Sequence, residues 1–181
     1  VPKDFSLPAV VRSHGWVQMA PFERLAEDGL GYTIRLDRGK VTHFTVQEAT
    51  DGLRVESSQG LTPPEQAELS GSITWMLGLE QDFSQFYTLA AQEPMLAKMV
   101  RNKAGRLLRS PTLFEDVIRT LLTTNTLWAH TLKMCRELVR LYGEPVGGET
   151  TPDEALRRAF PTPQRLAQGD EGELRQQVRM G

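Results

Sequence analysis

Four short polar side chains in a row, Thr123, Thr124, Asn125 and Thr126, interrupt a stretch that is otherwise apolar at helical spacing, Ser110 to Gly143 (SPTLFEDVIRTLLTTNTLWAHTLKMCRELVRLYG). Residues of this kind bond to nearby backbone more readily than they continue a helix, so a polar corner is expected at 123–126. An amide there offers donors and an acceptor together. A helix starting just beyond it points free N–H groups and its positive dipole end out of the corner, a setting that suits a phosphate. The plainer reading of the same residues is an ordinary capped helix-turn-helix corner.

Two helices must position that corner. The first has an N-cap candidate at Ser110, a proline at its first position, and Phe114, Val117, Ile118, Leu121 and Leu122 as its expected buried stripe. The second buries Leu127, Met134, Cys135, Leu138 and Tyr142 and stops at Gly143.

The wider composition bounds the function. With 181 residues, 39% hydrophobic and 24% charged, the chain suits one substantial globular domain or two small ones. No apolar run is long enough to cross a bilayer, and VPKDFSLP has no signal-peptide pattern, so no membrane role and a cytoplasmic location are expected. The single cysteine, Cys135, lies on an apolar helix face and is read as core filling. His14, His43 and His130 lack ligand spacing, so neither a metal nor another cofactor is expected.

The net charge of −2 conceals an asymmetry. From Lys98 to Arg140 nine Lys and Arg (98, 101, 103, 106, 109, 119, 133, 136, 140) stand against three acids (115, 116, 137). A basic middle in an acidic chain fits either a polyanion-facing surface or a solvated helix face.

In chain order, Phe5 to Val11 reads as a strand or an extended lead-in to the turn Arg12–Gly15 and Trp16. Tyr32, Ile34 and Leu36 alternate with Thr33, Arg35 and Asp37 as a half-buried strand; Val41 to Gln47 and Leu53 to Glu56 return after the turns at 37–40 and 51–52. Thr62 to Glu65 is a capping box for a helix burying Leu69, Ile73, Met76 and Leu77 and ending near Gly78. Asp82 caps a helix with Phe83, Phe86, Tyr87 and Leu89, and another starts near Pro94 with Met95, Met99 and Val100, all read as core. Further caps are expected at Thr151 to Glu154 with a short helix to Ala159, at Thr162, and at Asp170 with Glu173.

Phe114 to Gly143 resembles the central helix pair of the helix-hairpin-helix DNA glycosylases, the superfamily of the 3-methyladenine and 8-oxoguanine enzymes. Phe160 to Ala167 (FPTPQRLA) is similar to the segment that precedes the hairpin in the 3-methyladenine branch. The resemblance implies an α+β chain, with an antiparallel sheet domain over 1–60 and an all-α helical domain over 61–181 that stops before the hairpin. It also implies a base-excision N-glycosylase for alkylated or oxidised purines, acting as a monomer on double-stranded DNA that contains a damaged base.

Such an enzyme flips a base out of the stack and fills the vacated space. The position matching the family's plug is Asn125, flanked by Thr124 and Thr126. His130 matches a position that contacts the widowed base, where an Arg is usual; an exposed helix residue is the alternative reading. Lys133 joins this DNA-facing set. By the same resemblance His14, Gly15 and Trp16 are candidates for the base-pocket wall, against the plainer reading of a strand end with a half-buried Trp. The family's hairpin and its catalytic Asp have no counterpart among these residues, so no catalytic residue is assigned and this chain alone is expected to be inactive. A non-catalytic nucleic-acid or protein-interaction module that kept the scaffold is the alternative.

Overall fold

Period-two alternation between residues 23 and 57 yields one antiparallel sheet in the computed structural model, which describes residues 1–148 and 155–179. Its strands are β1 (Glu23–Arg24), β2 (Leu30–Arg35), β3 (Val41–Ala49) and β4 (Gly52–Ser57), in that spatial order. Tyr32 faces Phe44 and Val46 faces Val55, so the aromatic and β-branched residues pair across strands. β2 departs from the half-buried expectation: Leu30 to Ile34 are all buried, Thr33 included. The second face is covered because the chain returns beneath it, where the Thr33 hydroxyl donates to the Leu156 carbonyl.

His43 sits on this covered face, 5% exposed, with its ring in hydrogen-bond contact with Thr33 Oγ1 at 3.0 Å. Burial holds its imidazole down, to about 4, and the charge of Arg157 pushes the same way.

The lead-in to the sheet is helical, which corrects the strand reading of Phe5 to Val11. Ser6 Oγ accepts from the Ala9 N–H, Pro8 presets the first turn, and Leu7, Val10 and Val11 of α1 (Leu7–Val11) enter the core on one face. The expected capping box opens α2 (Pro63–Met76), whose Leu69, Ile73 and Met76 pack with Leu77, α1 and the sheet into a first core. In α3 (Ser84–Ala90) and α4 (Ala97–Arg101) the core reading fails in part. Phe83, Phe86 and Tyr87 pack on one another, but Leu89 and Met95 are exposed because these short helices have only one covered side.

The central pair is α5 (Leu113–Leu122) and α6 (Trp128–Tyr142). The cap of α5 is Thr112, not Ser110: Thr112 Oγ1 accepts from the Glu115 N–H, and Pro111 lies before the helix. Its inward face is only partly the expected one. Glu115, Arg119 and Leu122 are buried and Phe114 and Ile118 half-buried, while Leu113 (76% exposed), Val117 and Leu121 face outward. The reason is Arg119. Its guanidinium, 0% exposed, donates to the Ala20 carbonyl (3.0 Å), reaches Cys135 Sγ (3.4 Å), lies 3.6 Å from Glu115 Oε2, and rests on the rings of Phe22 (5.0 Å) and Phe160 (4.8 Å). Glu115 also accepts from the Tyr32 hydroxyl.

On α6 Met134, Cys135, Leu138 and Tyr142 are buried as expected and form a second core with Met19, Ala20, Leu122 and Phe160. Leu127 is not part of that stripe; it precedes the helix and is 70% exposed. Thr162 caps α7 (Pro163–Ala167) and Asp170 caps α8 (Glu171–Glu173), which runs on as a π-helix to Val178. The capping box expected at Thr151 to Glu154 lies outside the described residues; Ala155–Arg157 is a single 3₁₀ turn. The basic middle is reduced at the surface, because Arg106 and Arg119 are both buried, paired with Asp4 and Glu115.

Arg119→Met is expected to lower stability by about 3 to 5 kcal/mol by leaving the Glu115 carboxylate without its partner, read from urea unfolding at neutral pH. His43 is neutral in the fold and protonated in the unfolded chain below its ordinary value of 6.5. The His43 part of the stability is therefore full above pH 6.5 and is lost, by roughly 3 kcal/mol, as pH falls toward 4, and His43→Gln should flatten that part of the pH profile of urea midpoints.

Candidate nucleic-acid interface

The corner between α5 and α6 is built from threonine hydroxyls and one left-handed residue. Thr123 Oγ1 donates to the Thr120 carbonyl and Thr124 Oγ1 to the Leu121 carbonyl, each at 2.7 Å, which satisfies the last orphan acceptors of α5. From the other side the buried Thr131 hydroxyl donates to the Leu122 carbonyl at 3.0 Å. Between them Asn125 adopts φ +50, a conformation that asparagine tolerates better than any other residue bearing a Cβ.

The exposure pattern follows from that turn. Thr124, Asn125, Leu127 and Ala129 are exposed and Thr126 is half-buried; His130 and Lys133, one and two turns into α6, are exposed as well. No side chain caps the start of α6, a 15-residue helix; in its first turn the His130 N–H is taken by the Leu127 carbonyl at 2.9 Å.

His14, Gly15 and Trp16 lie beside this corner. They precede and open a 3₁₀ turn (Gly15–Gln18), and all three are half-buried. His14 stacks on Trp16, with centroids 5.2 Å apart and planes at 15°. Burial lowers the His14 pKa against the opposing charge of Asp116, which favours a neutral ring. The link to the corner is direct: Trp128, the first residue of α6, lays its indole on Gly15 and donates from Nε1 to Gln18 Oε1 at 3.3 Å. Trp16 packs against the second core.

No protein-family model and no curated protein sequence matches the chain. Solved structures do. The 3-methyladenine DNA glycosylase of Archaeoglobus fulgidus superposes with a TM-score of 0.71 at 17% identity, over 99% of this chain and 57% of that one. The fold is that of the DNA glycosylases. The Clostridium acetobutylicum 8-oxoguanine glycosylase/lyase, in complex with double-stranded DNA containing cytosine opposite 8-oxoguanine, gives 0.66 at 17% identity over 94% of this chain and 53% of that one. MBOgg1 in complex with a low-affinity DNA ligand gives 0.69 at 18% identity over 97% and 54%. The chain thus spans a little over half the length of the glycosylase structures it matches. The expected α+β class and the resemblance both hold at the level of fold.

Two residues of this region had no assignment from sequence, Gln18 and Trp128. A tryptophan directly after a polar corner was the one available signal, and its partner is 110 positions away. Among the described residues no group of three His, Cys, Asp or Glu is arranged to hold a metal ion.

The left-handed turn sets a test of the corner itself. Asn125→Gly should leave the melting temperature unchanged or slightly higher, whereas Asn125→Val should cost about 1 to 2 kcal/mol, because only the valine has a Cβ branch opposed to positive φ.

Proposed function

We propose that this chain is the lesion-engaging part of a base-excision DNA N-glycosylase that acts on alkylated or oxidised purines. The observation that carries the reading is the exposed Asn125, held at positive φ in a corner whose backbone is braced by three threonine hydroxyls. The fold shared with glycosylases solved on DNA supports it.

In this reading duplex DNA lies across the start of α6. The first-turn N–H groups and Lys133 take backbone phosphates, Thr124 and Thr126 flank the entry, and the Asn125 amide enters the space left by the extruded base. There its donors and acceptor can meet the edge of the orphaned partner base. His130, one turn along, faces the same strand. His14, Gly15 and Trp16 form part of the wall that receives the flipped base, where a neutral His14 and the indole of Trp16 offer a flat stacking surface.

None of the acidic side chains described here is given the role of expelling the base. Asp116 accepts from the Ser110 N–H, and Glu115 is buried under Tyr32 and Arg119, so neither is free at the corner.

Asn125→Gly is the appropriate variant, since it keeps the turn and deletes only the amide. It should weaken binding to a duplex carrying an abasic site about tenfold at low salt, equivalent to roughly 1.4 kcal/mol, measured by fluorescence anisotropy. Equal affinity of parent and variant removes the plug role. The 181-residue chain should release no free base from methylated or oxidised duplex; release detected by chromatography would place the chemistry within these residues.

A further inference from the structure

Among the described residues no hydrogen bond holds the Asn125 side chain, so its aim is set by the backbone of the corner. On the α5 side that backbone is tied by Thr123 and Thr124. On the α6 side there is no capping side chain, and the first helical residue is Trp128. Its indole lies over Gly15: a Cβ built there would stand 2.4 Å from Cζ2, 2.8 Å from Cη2 and 3.2 Å from Cε2 of the ring. The backbone at Gly15 has no positive φ, so glycine is needed for the space the indole takes and not for conformation. Gln18, one 3₁₀ turn later, holds the indole N–H.

The platform under the indole is itself immobilised. Ser13 Oγ accepts from the Leu108 N–H at 3.1 Å, Trp16 is packed into the second core, and the Ala20 carbonyl is bound by Arg119. A rigid strut therefore runs from the buried guanidinium through the 13–20 segment to the first residue of α6.

We propose that Trp128, seated on Gly15 and tied to Gln18, is a positioning residue that aims the 124–127 corner at the duplex. The assignment rests on the reading of Asn125 as the plug and adds what directs it. Any Cβ at position 15 must push the indole outward by about 1 Å to restore ordinary carbon contacts. That displacement is transmitted to Leu127, which adjoins Trp128, and through Thr126 to Asn125. A plug misplaced by 1 Å loses its entry geometry while the phosphate contacts, which tolerate such shifts, remain.

The test compares the 181-residue parent with Gly15→Ala and with Trp128→Phe, which keeps an aromatic ring but loses the bond to Gln18. Two readouts are needed. In the free chains, amide resonances of 124–127 should move or broaden in both variants while those of β3 and β4 stay in place. On a duplex with 2-aminopurine opposite an abasic site, the parent should raise 2-aminopurine fluorescence, and both variants should lose most of that rise at saturation with an unchanged salt dependence of affinity. Corner resonances identical to the parent in either folded variant overturn the proposal, as does a full fluorescence rise in both. If the corner resonances move as expected but the parent itself gives no fluorescence rise, the aiming role stands and the plug reading of Asn125 falls. Trp128→Phe, with no added bulk, keeps the comparison decisive should Gly15→Ala not fold.

Discussion

A guanidinium with no access to water needs compensation from the groups around it, and in this protein Arg119, whose Nε and Nη2 make no hydrogen bond, finds it by drawing the layers together. Arg119 draws its partners from five places: the Ala20 carbonyl, Glu115 on its own helix, Cys135 on α6, and the faces of Phe22 and Phe160. Phe22 belongs to the core under the sheet and Phe160 to the core around α6. The residue is thus the point where the two cores are stitched together. Rolling α5 would break several of these contacts at once around a buried charge, which disfavours other rotations of the helix about its axis.

That rotation has consequences at both faces of α5. Inward it places Glu115 under the Tyr32 hydroxyl, where burial pushes the carboxyl up against the pull of Arg119 and raises the Tyr32 phenol well above its ordinary range. The same burial pushes the Cys135 thiol up, which suits a packing role and not a reactive one. Outward it leaves Leu113, Val117 and Leu121 as an exposed apolar row leading to the corner. With α5 held in this rotation the turn that follows it leaves in a defined direction, and the left-handed Asn125 is exposed.

The corner depends on short-range chemistry at one end and long-range packing at the other. Thr123 and Thr124 close α5 through bonds to carbonyls three residues back, a purely local device. Trp128 opens α6 against Gly15 and Gln18, more than a hundred residues earlier in the chain. The outcome is a polar tip held between two braces, one local and one distant in sequence.

Much of this was open to reading from residue order alone. The antiparallel meander, the capping box at Thr62, the caps at Thr162 and Asp170, the break at 123–126 and the buried Cys135 all follow from local rules of periodicity, capping and turn chemistry, which act within a few residues. What tertiary structure alone decided is which face of a helix turns inward. On α5 Phe114, Ile118 and Leu122 turn inward as expected, but a buried charge network takes the places of Val117 and Leu121, and Ser110 yielded the cap to Thr112. Leu89 and Met95 stayed exposed because nothing packs over them, whereas the helix at Leu7–Val11 was signalled locally by Ser6 and Pro8, which the strand reading missed. Local spacing specifies that a helix or strand forms. Only the sum of distant contacts, here centred on a single arginine, specifies how it is turned, and therefore what it presents to a partner.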